Sequence, residues 1–261
     1  MSGGALCVEG VTMRFGGLVA LEDVSFDAQP GEVLGVIGPN GAGKTTLFNV
    51  ISGVNRPTAG RVWLGDVLLT GRGADRIARD GVTRTFQTPV MFAGLTVRET
   101  LMVALAARPG ARRVEDSLLS CGLRFGERAR ERSLVEAVDA LLAGLPIAAL
   151  ADLPCEGLSF GQERMVEIVR ALAIEPRVLL LDEPLSGLNA DEIPPVLELV
   201  ASARARGIAV LFVEHDLRSL LRAVDRLVVL DHGKKIAQGD PESVCADPAV
   251  LEAYIGDELV A

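Results

Sequence analysis

Eight consecutive residues, Gly38, Pro39, Asn40, Gly41, Ala42, Gly43, Lys44 and Thr45, fit the pattern G-x-x-x-x-G-K-[ST] without a mismatch, and a second threonine, Thr46, follows. They follow the apolar stretch from Val33 to Ile37 and precede Leu47-Phe48-Asn49-Val50-Ile51. A strand that breaks into a glycine-rich turn and restarts as a helix aims successive backbone N–H groups, the positive helix end and one ammonium at the same point. That is a phosphate cradle, and Lys44 supplies the fixed positive charge a polyphosphate needs. A second set of groups closes Arg177-Val178-Leu179-Leu180-Leu181-Asp182-Glu183-Pro184, an apolar run ending in two carboxylates. There, one carboxylate can hold Mg²⁺ through water and the next can orient a water for attack on a terminal phosphate. The pattern therefore assigns Asp182 to the metal and Glu183 to the general base.

These groups need a scaffold that gathers strand ends. After Pro176, three β-type runs, 177–181, 208–213 and 227–230, alternate with helical patterns over 191–206 and 217–224. Such alternation predicts an α/β fold with a parallel sheet whose carboxyl strand ends carry the ligand. Residues 6–12 and 19–28, around Gly16-Gly17, and 61–70, around Gly65-Asp66, alternate apolar and polar positions, which predicts an antiparallel β layer. Over 96–108, 133–143 and 159–173 the apolar residues recur every three or four positions, so the middle of the chain reads as helical. Pro194-Pro195 fall within the helix expected after Asn189; with Asp191 as N-cap both lie in the first turn, where a missing N–H costs little. Between the first two helical segments, 109–132 mixes arginines with Glu115, Asp116, Glu127 and Glu131, the composition of a solvated loop or a mixed-charge helix face.

The chain has 261 residues, 49% hydrophobic and 23% charged, an ordinary globular composition that suits a main domain with a smaller appendage. Its formal net charge of −9 repels phosphate backbones, and no basic patch offsets it, so nucleic acid is not an expected partner. The longest nearly uninterrupted apolar stretch, 141–151, contains Gly144 and Pro146 and is about half of what a membrane span requires. The N-terminus lacks the basic, apolar, small-residue order of a secretory signal, and a cytoplasmic protein is expected. Cys7, Cys121, Cys155 and Cys245 lie far apart without a C-x-x-C pair, which reads as buried free thiols.

Three further elements complete the pattern: Gln87 in Arg84-Thr85-Phe86-Gln87, the run Leu158-Ser159-Phe160-Gly161-Gln162, and His215 after the run 208–214. With the cradle and the carboxylate strand, in this order, they make nearly the whole chain resemble the ATP-binding subunit of ABC transporters. Phe160 stands where glycine is commonest in that family. Ser159 and the N–H of Gly161, at the start of a helical pattern, form an anion site in their own right. The resemblance makes them, with Gln162, the half-site that caps the γ-phosphate of ATP held by a partner subunit, so that hydrolysis needs a dimer. It also implies that His215 positions water and the γ-phosphate, that Gln87 touches Mg²⁺ and senses a transmembrane partner, that Thr45 joins Asp182 and Gln87 on Mg²⁺, and that Phe15 stacks on adenine. The implied fold is a P-loop NTPase with a RecA-like core and an antiparallel β layer over 1–90 and 166–261, and an inserted helical subdomain over 91–165. ATP and Mg²⁺ are the implied cofactors. The implied partners are a second ATP-binding subunit, identical or not, permease subunits and, indirectly, a solute-binding protein. The implied place is the cytoplasmic face of the membrane.

Within the family, Phe15-Gly16-Gly17-Leu18-Val19-Ala20-Leu21, Asn189 in place of the usual aspartate, the long stretch from Gln87 to Ser159, and an ending that runs from Gly239-Asp240-Pro241 to Ala253-Tyr254-Ile255-Gly256 resemble the branched-chain amino acid importers. The asparagine keeps an acceptor, adds a donor and loses a charge. A soluble ABC ATPase that serves as an assembly scaffold, of the iron–sulfur assembly type, is the alternative from a different class. An unrelated P-loop kinase or GTPase would leave Ser159, Gly161, Gln162 and His215 without roles.

Overall fold

The computed structural model describes residues 6–85, 91–108, 125–214 and 220–258. The chain divides into two compact units: Met1–Gln87, Pro176–Gly187 and Val200–Ala261 form the first, and Thr88–Glu175 with Leu188–Leu199 the second.

Two sheets build the first unit. Strands β1 (Leu6–Phe15), β2 (Leu18–Ala28), β4 (Ala59–Leu64) and β5 (Val67–Leu68) make an antiparallel sheet in the order β2-β1-β4-β5. Along β1, buried and more exposed residues largely alternate, as they must when one face of a sheet is covered and the other wet. The second sheet has the order β10-β9-β3-β8-β7-β6, with β3 (Val33–Ile37), β6 (Val82–Arg84), β7 (Val178–Asp182), β8 (Ala209–Val213) and β9 (Arg226–Asp231) parallel. Only β10 (Lys234–Gly239) runs antiparallel, and it carries Lys234 and Lys235 on an edge, where charge discourages pairing with another chain. Every residue of β3, β7 and β8 is buried, the signature of central strands covered on both faces. Gly35 interrupts β3 because a Cβ there would stand 2.6 Å from Leu227 Cδ2.

Helix α1 (Lys44–Ile51) follows β3, and its Leu47 and Phe48 join Leu6, Leu21, Leu34, Val36, Leu211 and Leu230 in one apolar cluster that ties both sheets together. Full burial of a side chain such as Phe48 stabilises by roughly 1.5–3 kcal/mol. Also in the first unit are α2 (Ala74–Asp80) and, near its end, α7 (Pro241–Cys245) and α8 (Pro248–Glu258), while α6 (Ile193–Ala205) starts in the second unit and ends in the first.

In the second unit α3 (Val97–Ala106), α4 (Phe125–Leu142) and α5 (Phe160–Ala173) are the long helices. Helix α4 begins earlier than the apolar periodicity, so part of the mixed-charge segment is helical, and 109–124 lies outside the described residues. Helix α5 is unbroken from Phe160, so a boundary at 165 would cut it; the division by contacts falls after Glu175 instead. Helix α6 begins at Ile193, two residues past Asp191, which still leaves Pro194 and Pro195 in the first turn. Of the described cysteines only Cys155 is buried; Cys7 and Cys245 are half-buried, and all three are free thiols. Among the described residues no helix is long and apolar enough to cross a membrane.

Candidate functional site

The carboxyl ends of β3, β8 and β7 are level, because Val36 pairs with Val213 and Val213 with Asp182. The sheet therefore delivers the cradle from its middle strand and the two carboxylates from a strand two positions away, roughly 10 Å across the sheet. Between β3 and α1 the loop turns on Gly41, at φ 79°, and Gly43, at φ 102°, conformations that side chains with a Cβ rarely adopt. Space excludes a side chain as well: a Cβ on Gly38 would stand 2.1 Å from the Leu230 carbonyl oxygen, and one on Gly43 2.7 Å from that of Ala20. Lys44 is buried, and its Nζ donates to the carbonyls of Gly38 at 2.6 Å and Pro39 at 2.8 Å, which holds the ammonium across the loop.

A cleft of about 330 Å³ opens on this loop, lined by Asn40 to Thr46, by Phe15, Leu18, Val19 and Ala20 from the β1–β2 hairpin, and by Glu183. It brings together Phe15, most of the cradle and Glu183, groups far apart in sequence. Phe15 is 47% exposed on this wall rather than packed in the core, so its ring face is available to a planar group. Thr45 is exposed and lines the cleft.

Glu183 continues the ladder by donating its N–H to the Val213 carbonyl at 3.0 Å, then takes φ 50°, a left-handed conformation that costs a glutamate on the order of 1 kcal/mol or more. That kink turns the chain out of β7 at the rim of the cleft. Asp182 is 1% exposed. Its Oδ2 accepts from Arg84 Nη2 at 2.6 Å, and Oδ1 is buried without a hydrogen-bond partner among the described residues. Arg84 also donates to Asn49 Oδ1 at 2.6 Å and lies 5.7 Å over the Phe48 ring, so β6 and α1 both position the metal candidate. Leu185 N–H donates to the buried Glu214 carboxylate at 2.6 Å, fixing the turn beyond Glu183. Burial pushes the phenol of Tyr254 on α8 up to about 12, and the Gly38 backbone pulls it the other way.

In the second unit Ser159 is the N-cap of α5: its Oγ accepts from the Gln162 N–H at 3.3 Å, while the Gln162 side chain accepts from the Ser159 N–H at 2.9 Å. This capping box places Ser159 and Gln162 at the positive end of the helix, with Gly161 buried beside them. Phe160 is 42% exposed, and the guanidinium of Arg164 lies 5.3 Å from its ring. Gln87 and His215 lie outside the described residues. Sequence reasoning missed Arg84, Asn49, Leu18, Ala20 and Glu214. Of these, Arg84 left a signal, a charge in a strand-like run just before Gln87.

A strand that ends in a glycine loop over a buried lysine, level with a strand that ends in Asp-Glu, answers the needs of nucleotide phosphates, and fold and site together define a P-loop ATPase. The family model described as ABC transporter matches residues 21–186, and a second, described as branched-chain amino acid ATP-binding cassette transporter, matches 234–260. The high-affinity branched-chain amino acid transport ATP-binding protein LivG of Escherichia coli K12 is 38% identical over 261 residues, covering 98% of this chain and 100% of LivG. BraF of Pseudomonas aeruginosa, which carries the same description, is 37% identical over 259 residues, covering 98% and 100%. Among solved structures, the ADP conformation of an ATP-binding cassette of an ABC transporter is 33% identical with a TM-score of 0.81, covering 97% of this chain and 99% of that one. The chain belongs to the ABC transporter family, as a nucleotide-binding ATPase subunit.

Proposed function

We propose that this chain drives an importer of branched-chain amino acids by binding and hydrolysing ATP. The observation that carries the cargo is the segment 234–260: it matches the branched-chain transporter family model, and in the structure it supplies β10, α7 and α8. In this reading the cargo is recognised by membrane and binding proteins elsewhere in the assembly. A soluble assembly scaffold is not favoured, since the full-length relatives are described as transport proteins.

In this reading the cradle residues from Gly38 to Thr46 wrap the phosphates, Lys44 neutralises their charge and Phe15 stacks on the base. Thr45 and Asp182, with Gln87, would hold Mg²⁺, and the buried Oδ1 of Asp182, without a partner among the described residues, suits an ion or its water shell. When bound, Mg²⁺ offsets the charge that develops on the phosphates. Glu183 accepts the proton of the attacking water at the rim of the cleft, and His215 orients the γ-phosphate. Ser159, Gly161 and Gln162 complete the site of a second ATP-binding subunit, identical or related, so ATP closes the pair and product release opens it. Permease subunits convert that motion into transport, with the chain seated on the cytoplasmic face of the membrane.

The test is ATP-dependent uptake of labelled leucine into vesicles that hold the chain with its co-purified permease subunits and binding protein. Uptake of leucine, isoleucine and valine is expected. ATP turnover without uptake of any of the three would reject the cargo.

A further inference from the structure

The anion site at the start of α5 already holds an anion of its own chain. Glu192, just before α6, receives the Ser159 hydroxyl on Oε1 at 3.2 Å, and its Oε2 accepts from the Asn189 N–H at 3.0 Å and from Asn189 Nδ2 at 3.4 Å. Its carboxylate also covers Gly161: a Cβ there would stand 2.5 Å from Oε1. We propose that Glu192 is an internal stand-in for phosphate, a latch that occupies the Ser159–Gly161 anion site in the separate subunit and must be displaced by the γ-phosphate of the partner's ATP.

The chemistry of the contacts supports competition. A hydroxyl has one proton to donate; Ser159 gives it to Glu192, and one of its two lone pairs accepts from the Gln162 N–H. A phosphate oxygen that needs that proton has to take it from the carboxylate. A carboxylate at a helix N-terminus is stabilised by the dipole, and a phosphate arriving at the same place meets a like charge at short range. The separate subunit is thereby favoured over the ATP-bridged pair until nucleotide is abundant. Asn189 fits the same device. Where the family usually has aspartate, this chain has an amide, and its Nδ2–H donates to Glu192, a bond that an ionised aspartate could not make.

Glu192 also caps the turn 189–192, so the informative change is Glu192→Gln, which removes the charge and keeps the shape and much of the hydrogen bonding. This inference rests on the two-subunit ATP site proposed above, and the experiment separates the two. In the full-length chain carrying Glu183→Gln to slow hydrolysis, the monomer–dimer equilibrium is followed by sedimentation velocity as Mg·ATP is titrated, with and without Glu192→Gln, and Ser159→Arg serves as a blocked control. The added Glu192→Gln is expected to lower the ATP concentration at half-dimerisation about fivefold or more, a shift typical of coupled sites, and to leave ADP affinity unchanged, since ADP lacks the displacing phosphate. ATP-dependent dimers that Ser159→Arg abolishes but Glu192→Gln leaves at the same midpoint would overturn the latch and keep the two-subunit site. Dimers that tolerate Ser159→Arg, or no dimers at any ATP concentration, would overturn both.

Discussion

Two helices of this protein begin at sites suited to an anion, and they are finished in opposite ways. Helix α1 has Gly43 as its N-cap, with no side-chain hydrogen bond to its first turn, and a buried lysine as its first residue. Helix α5 has Ser159, a complete capping box and a carboxylate from the next segment over it. The first has no side-chain cap of its own and brings its own positive charge; the second caps its first turn from within. A preorganised site needs little rearrangement when the ligand arrives, whereas an internally capped one must first give up hydrogen bonds. On the proposed reading, the cradle holds nucleotide in a single subunit, and the α5 site responds only when something competes for it.

The largest effects should come from breaking the preorganised side. Glu183→Gln removes the proposed base, held at the rim of the cleft by its left-handed kink, and steady-state ATP turnover is expected to fall by roughly 10²–10⁴ with nucleotide affinity kept. Unchanged turnover would remove Glu183 from that role. Lys44→Ala deletes the ammonium anchored on Gly38 and Pro39; ATP binding by calorimetry should weaken by about a hundredfold, the scale of losing a charged hydrogen bond of 1.5–3 kcal/mol. Equal affinity would mean that the loop's backbone alone grips the phosphates.

A smaller effect is expected at the hairpin wall. Phe15→Ala takes away a ring that is nearly half exposed in the cleft, and stacking of aromatic pairs is worth about 0.5–1.5 kcal/mol, so ATP affinity should drop roughly three- to tenfold. Retained affinity alongside lost stability would instead show a packing role.

What could be read from the residues alone follows from how locally each feature is determined. The cradle was legible because one contiguous run encodes strand, turn, lysine and helix start, and positive φ with close packing leaves only glycine at key positions. Asp182 and Glu183 were legible as the end of an apolar run. Arg84 was quoted only as a neighbour of Gln87, because its partner Asp182 lies 98 residues away and only the parallel pairing of β6 with β7 brings them together. Glu192 was invisible for the same reason: Ser159 is 33 residues away, and nothing in Asp191-Glu192-Ile193 marks a carboxylate that will lie over another helix. The extent of the helical region is likewise set by packing: helix α5 runs unbroken through residue 165, and the second unit extends to Glu175.

The smallest expected effect separates capping from ligand binding within the second unit. Thr96 caps α3 with the same reciprocal box, accepting from the Glu99 N–H while the Glu99 carboxylate accepts from the Thr96 N–H, a contact that holds Glu99 below the usual carboxylate range. Thr96→Ala and Ser159→Ala should each destabilise by about 1 kcal/mol in urea unfolding, because each deletes one N-cap acceptor. If Ser159 did nothing but cap its helix, the two variants would match in every other measurement. The γ-phosphate reading requires them to part: Ser159→Ala should also lose ATP-dependent dimerisation and turnover, and Thr96→Ala should keep both. Their divergence or agreement decides whether the internally capped helix start is a binding site or only the end of a helix.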